Sequence, residues 1–88
     1  MRTIYKYPLD VTNRQTLVLP IGSYILSLQD QNGIPTIWAL VDSEQTETMS
    51  HEITMYGTGH PLSHDSGTWL ATLQLGSFVW HFFYRMHM

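Results

Sequence analysis

The dipeptide Asn32-Gly33 lies between two runs of strand-forming residues and constrains the fold more than any other feature of the sequence. Asn and Gly tolerate the positive φ angles of a type I′ turn, the tightest connection between antiparallel strands. We therefore predict a β-hairpin with strands from Tyr24 to Gln31 and from Ile34 to Asp42. Because Ile37 to Val41 is apolar at consecutive positions, the second strand is expected to be central and covered on both faces.

Two predicted strands alternate apolar and polar residues, and successive side chains of a strand point to opposite faces. In the first hairpin strand, Tyr24, Leu26 and Leu28 are expected on one face. In the segment from Trp69 to Leu75, every second residue starting with Trp69 is expected on one face. Gly76-Ser77 then suits a type II′ turn into the last strand.

The remaining strands are shorter or less regular, and they decide the fold class. They are predicted at Arg2 to Tyr7, Thr16 to Leu19, Glu52 to Tyr56 and Phe78 to Arg85. The polar segment from Ser43 to Ser50 is expected to be a loop or one helical turn. Six or seven short strands at this spacing predict a mainly β fold with little helix, a single antiparallel sandwich or partly open barrel. The 88 residues are enough for one domain, residues 1–88.

Self-association is expected, because a small core without cysteine has no disulfide to support it. The last strand carries bulky apolar groups on both faces, so one face is predicted to pack the core and the other a partner subunit. His81 lies on that second face and is predicted to hydrogen-bond across subunits. The final residues, His87 and Met88, are expected to fray.

Two classes of partner, nucleic acids and membranes, are not expected for this chain. Four Lys and Arg residues against seven Asp and Glu give a net charge of -3, too few cations to follow a DNA or RNA backbone. The longest apolar runs are too short to span a bilayer, so no membrane partner is expected.

A glycine-rich segment, Gly57-Thr58-Gly59-His60, follows the predicted strand that ends at Tyr56 and begins a long irregular loop. Its N–H groups could form an anion cradle with the Thr58 hydroxyl as an additional donor. A plain turn is the favoured interpretation, because the loop lacks the Lys and the helix of a phosphate-binding P-loop. His60, His64 and Asp65 are too few to predict a metal site, and adjacent Ser63, His64 and Asp65 do not predict catalysis.

The cluster Tyr5-Lys6-Tyr7 combines aromatic rings with a cation, which suits stacking on a base and pairing with a phosphate. The alternative is that one tyrosine packs inward and Lys6 is solvated. Trp38, Trp69 and Trp80 are expected in the core before any ligand role.

Four segments together resemble a widespread family of short phage and prophage proteins that was long catalogued as a domain of unknown function. They are Ile4-Tyr5-Lys6-Tyr7-Pro8-Leu9, Ile37-Trp38-Ala39-Leu40-Val41-Asp42, Gly57-Thr58-Gly59-His60 and Val79-Trp80-His81-Phe82-Phe83. The resemblance covers nearly the whole chain and implies a phage protein acting in the host bacterial cytoplasm. In size the chain also resembles oligomeric sponges that sequester the cyclic nucleotide signals of CBASS immunity.

The function expected from this resemblance is sequestration of a cyclic dinucleotide or related nucleotide signal by a dimer or tetramer, without cleavage and without a cofactor or metal. The expected ligand-binding residues are Arg2, Tyr5, Lys6, Tyr7, Thr58, Gly59, His60 and Arg85. The alternative is a phage inhibitor that binds a host defence enzyme or another host protein through an apolar strand face or edge. A hydrolase of the same signal has the least support from the residues.

Overall fold

A computed structural model describes residues 1–86 of the chain. Every regular secondary-structure element in this range is a β-strand. His87 and Met88 lie outside the described residues, and so does the expectation that they fray. The strands are β1 (Arg2–Pro8), β2 (Arg14–Pro20), β3 (Tyr24–Gln31), β4 (Ile34–Asp42), β5 (Thr48–Gly57), β6 (Thr68–Leu75) and β7 (Phe78–Met86). Over this range there is accordingly no helix with the length and apolarity needed to cross a bilayer.

The seven strands form two antiparallel sheets packed as a sandwich, which confirms the predicted fold class. Sheet A has the strand order β1-β4-β3, and sheet B has the order β2-β5-β7-β6. The predicted central strand, β4, pairs on both sides. The two sheets approach at the edges formed by β3 and β6, but no hydrogen-bonded pairing joins them into a barrel.

The first hairpin has the turn that its sequence predicts. Asn32 and Gly33 have φ angles of 53° and 85°, as a type I′ turn requires at both central positions. The N–H of Gly33 also donates a hydrogen bond to the Asp30 carboxylate at 2.6 Å. Gln31 therefore pairs directly with Ile34, and the register of the hairpin is fixed.

The core lies between the inner faces of the two sheets. Phe82 of β7 is fully buried at its centre and pairs with Met55 on one side and Ala71 on the other. The other buried apolar residues come from both sheets and from the segment after β1: Leu9, Leu17, Leu19, Leu28, Ile37, Ala39, Val41 and Ile53. Burial of such side chains supplies the main stabilisation of a sandwich.

A β-bulge makes the predicted face of β3 wrong. The pairing with β4 shifts between Ile25 and Ser27, so Leu26 is an extra residue. Leu28 is buried, whereas Tyr24 and Leu26 are 68% and 51% exposed on the outside of sheet A. A bulge breaks the two-residue period, so alternation in the sequence no longer identifies one face.

A second bulge, in β6, has the same effect on Trp69. The pairing with β7 shifts between Trp69 and Ala71, which sets Trp69 opposite Phe83 on the outer face and Ala71 opposite Phe82 in the core. The expectation that Trp69 shares a face with Ala71 is therefore wrong. Both bulged strands lie where the two sheets approach.

Strand β5 starts at Thr48, earlier than predicted. The polar segment before it contains no helical turn, so that alternative is wrong. Thr48 pairs with Pro20 and Ser50 with Val18, so the last three residues of the segment from Ser43 to Ser50 are strand. Hydrogen bonding to β2 outweighs the weak strand preference of these polar residues.

Candidate functional site

The loop after β5 opens with a tight turn from Gly57 to His60. The N–H of His60 donates to the Gly57 carbonyl at 3.1 Å, and the N–H of Gly57 donates to Nδ1 of His60 at 3.2 Å. Gly59 adopts a φ of 87°. The segment is therefore a turn, as favoured from the sequence, and two of the N–H groups of the hypothetical anion cradle are used inside it.

The imidazole of His60 is a wall shared by two cavities. The Arg14 cavity, of about 460 Å³, is lined by Asn13, Arg14, Thr54, Met55, Tyr56, His60 and Pro61. The Phe78 cavity, of about 380 Å³, is lined by Gly57, Thr58, His60, Ser77, Phe78, Val79 and Trp80. Because Nδ1 accepts the Gly57 N–H, neutral His60 carries its proton on Nε2 and can donate from that atom.

One residue that lines the Arg14 cavity, Thr54, has a buried hydroxyl without a partner. Thr54 is only 4% exposed, and its Oγ1 accepts and donates no hydrogen bond. An unsatisfied buried hydroxyl costs about 1–3 kcal/mol, so such groups are rare unless a ligand or water completes them. Arg14 pairs with Thr54 across the β2–β5 ladder and brings a positive charge to the same side of the sheet.

The Phe78 cavity is more apolar. The rings of Phe78 and Trp80 have centroids 6.0 Å apart and planes inclined by 35°. Thr58 lines the same cavity, and its hydroxyl is held 2.8 Å from Nε2 of His81. Aromatic side chains together with a few polar residues are the usual composition of a site for a small organic ligand.

His81 is bound within the chain, which corrects the expectation that it hydrogen-bonds across subunits. Its Nε2 lies 2.8 Å from the Thr58 hydroxyl, and its Nδ1 lies 2.9 Å from the Thr72 hydroxyl. Trp69 Nε1 donates to the same Thr72 oxygen at 3.2 Å. With both ring nitrogens engaged, His81 fixes the loop at Thr58 to the outer face of sheet B.

Arg85 is held between two carboxylates. Its Nε donates to Glu52 at 3.2 Å, and a terminal nitrogen pairs with Asp65 at 2.9 Å. A hydrogen bond from the Ser63 hydroxyl and the charge of Arg85 lower the pKa of Asp65 below its ordinary value. Arg85 therefore anchors the loop to the sheet, and its charge is already compensated.

The expected binding residues of β1 lie in the other sheet. Tyr5 and Tyr7 pair with Ala39 and Ile37 and share the inner face of sheet A, whereas Lys6 is on its outer face. Arg2 pairs with Asp42 at the end of the same strand. The structure brings Thr58, Gly59 and His60 together, but neither cavity contains a residue of β1.

The acidic and imidazole groups of the loop are not arranged as a metal site or a triad. Within residues 1–86, no group of three or more His, Cys, Asp or Glu side chains is placed to hold a metal ion. The Ser63 hydroxyl donates to the Asp65 carboxylate rather than to His64.

Apart from His60, the polar residues of the Arg14 cavity are not predicted from the sequence. Arg14 is one of only four Lys and Arg residues, which is a signal that could have drawn attention to it. Thr54 and Tyr56 carry no such signal, because their placement beside Arg14 depends on the β2–β5 pairing and on the loop at His60.

Comparison with known proteins identifies a family for this chain. The model of the family described as "Domain of unknown function (DUF7352)" matches residues 1–87. No curated protein and no solved structure matches the chain. Because the match extends over nearly its whole length, the chain belongs to the DUF7352 family.

Proposed function

We propose that this domain binds a cyclic dinucleotide or a related nucleotide signal and sequesters it without cleaving it. The proposal depends mainly on Thr54, which lines a cavity together with Arg14 and His60 and whose buried hydroxyl has no hydrogen-bond partner. A phosphate oxygen in the cavity would accept a hydrogen bond from Nε2 of His60 and pair with the guanidinium, and rotation of the Thr54 side chain would add a hydrogen bond from its hydroxyl.

The charge of the cavity indicates how such a ligand would be shared. Arg14 is the one Lys or Arg among the residues that line the Arg14 cavity. Arg85 is already paired with Glu52 and Asp65. Arg14 also lies 3.6 Å from Glu52, which weakens its field. A ligand with two phosphates would be neutralised better by two copies of the chain, and this supports a dimer or tetramer as the binding form.

The biological setting of the proposal rests on the sequence resemblance. The motifs that resemble short phage and prophage proteins favour a role in the host bacterial cytoplasm, where sequestration of an immune signal would protect the phage. The role requires binding and slow release but no catalytic group.

Calorimetry of the purified domain against a panel of cyclic dinucleotides tests the proposal. We expect at least one member to bind, Arg14→Gln to weaken it at least 10-fold, and Lys6→Gln to leave its affinity unchanged. The Lys6 variant is the matched control, because it removes the same charge from the outer face of the other sheet. Release of intact ligand on heating would exclude a hydrolase, and the absence of binding to every member would refute the proposal.

A second candidate function is inhibition of a host protein, favoured by an exposed apolar surface on sheet A. Ile4, Tyr24 and Leu26 are exposed there, beside half-buried Trp38 and Leu40. Exposed apolar groups of this kind mark protein contacts when they are contiguous. If no nucleotide binds but Tyr24→Glu abolishes anti-defence activity of a folded protein, this second function replaces the first.

A further inference from the structure

The Phe78 cavity has one strongly exposed aromatic wall. Phe78 is the first residue of β7 and is 65% exposed, although it is large and apolar. The neighbouring Trp80 is partly buried and packs against the core, so it supports Phe78 from one side. An exposed aromatic ring on a rigid base is a stacking platform for another flat ring.

The residues that line this cavity also include two with hydroxyl groups, Thr58 and Ser77. The hydroxyl of Thr58 is held by Nε2 of His81. His60 separates this cavity from the one that contains Arg14. The two cavities meet at His60, and together they offer an aromatic surface and a cation, which is the complement of a molecule with a flat ring and an anionic group.

We propose that the Phe78 cavity is the nucleobase subsite of the site whose phosphate lies in the Arg14 cavity. This inference rests on the proposed function and adds the position of the base. The base stacks on Phe78, the phosphate pairs with Arg14, and His60 lies between them. Because stacking does not read the hydrogen-bonding edge of a base, the subsite accepts a purine or a pyrimidine.

The two cavities of one chain hold one nucleotide unit. The second unit of a cyclic dinucleotide then lies outside these cavities and is available to a second copy of the chain. The ligand would in this way join two copies through identical contacts, as expected for a two-fold assembly.

The test uses the whole protein, the cyclic dinucleotide that binds in the calorimetric panel, and three variants. Phe78→Ala removes the platform, Phe78→Tyr keeps an aromatic ring, and Arg14→Gln removes the cation. We expect Phe78→Ala to weaken binding about 10-fold, within the range of one lost base stack, and Phe78→Tyr to bind like the wild type. Since Phe78 is mostly exposed, both Phe78 variants are expected to fold.

Tryptophan fluorescence provides a second readout. Replacing Trp38 and Trp69 by Phe leaves Trp80 as the one tryptophan of the chain's three, and the bound base is expected to quench it. If Phe78→Ala binds like the wild type and Trp80 does not respond while Arg14→Gln is weakened, the base subsite is wrong and nucleotide binding stands. If no nucleotide binds, both proposals are wrong.

Discussion

The imidazole of His60 lies directly over the Cα of Gly57. A Cβ atom added at residue 57 would approach Cε1 of His60 to 2.7 Å, closer than side-chain carbons pack. At the same place the Gly57 N–H donates to Nδ1 of His60 at 3.2 Å. Glycine at this position therefore allows the ring to fold back onto β5 and to separate the two cavities.

Substitution of Gly57 should test this arrangement through a double-mutant cycle. We expect Gly57→Ala to destabilise the domain by about 1–3 kcal/mol, because the methyl group displaces the imidazole and breaks its hydrogen bond. In a His60→Ala background the ring is absent, so the same substitution should cost at least about 1 kcal/mol less. Urea unfolding of the four proteins measures the coupling, and strictly additive effects would contradict the contact.

Thr54→Val should separate stability from binding. Valine has nearly the shape of threonine but lacks the hydroxyl that is buried without a partner. We expect the free protein to become more stable by about 1 kcal/mol, because an unsatisfied polar group is removed.

Nucleotide affinity of the same Thr54→Val variant should fall, since the proposed hydrogen bond to phosphate is lost. Thr16→Val is the control, because Thr16 lies in β2 on the same face and is exposed and outside both cavities. Thermal unfolding and calorimetry together check both effects. A variant that binds as tightly as the wild type would remove Thr54 from the site.

His51 should make stability depend on pH in the mildly acidic range. Its ring is buried opposite Leu17 and Met86, near Tyr84, and burial lowers its pKa from the ordinary 6.5. The unfolded chain therefore binds a proton more readily than the fold does. The stabilisation from neutral His51 is complete above pH 6.5 and decreases as the pH falls from there towards the folded-state pKa.

The measurement for His51 is the unfolding free energy between about pH 7.5 and pH 5, above the range in which carboxylates titrate. We expect His51→Phe to reduce the slope of stability against pH, while His64→Gln, at an exposed loop position, retains it. Parallel curves for the wild type and His51→Phe would show that another group is responsible.

Phe82 should be the most sensitive apolar position of the sandwich. It is fully buried between Met55 and Ala71, so truncation leaves a cavity that neighbouring strands cannot close. We expect Phe82→Ala to cost about 3–5 kcal/mol, and Phe82→Leu to cost less and remain measurable if the first variant is unfolded. Val18→Thr, on an exposed position of β2, should change stability by no more than about 0.5 kcal/mol. Equal effects at positions 82 and 18 would contradict the assignment of the core.

The sequence by itself determined the class of fold and its hairpins. Asn32-Gly33 specifies a turn through the φ angles it permits, and the continuous apolar run from Ile37 to Val41 specifies a central strand. Both signals are local, since they depend on residues within a few positions of one another. The turn from Gly57 to His60 is likewise predicted by a local signal, the two glycines within it.

Only the tertiary structure decided which faces point outward and which residues meet at the site. The bulges at Leu26 and Leu70 reverse the alternation that the sequence implies, because a bulge arises from pairing with another strand. Arg14, Thr54 and His60 come from two strands and a loop, and no spacing in the chain relates them. Burial of a small hydroxyl such as that of Thr54 depends on packing, so the sequence does not predict the candidate site.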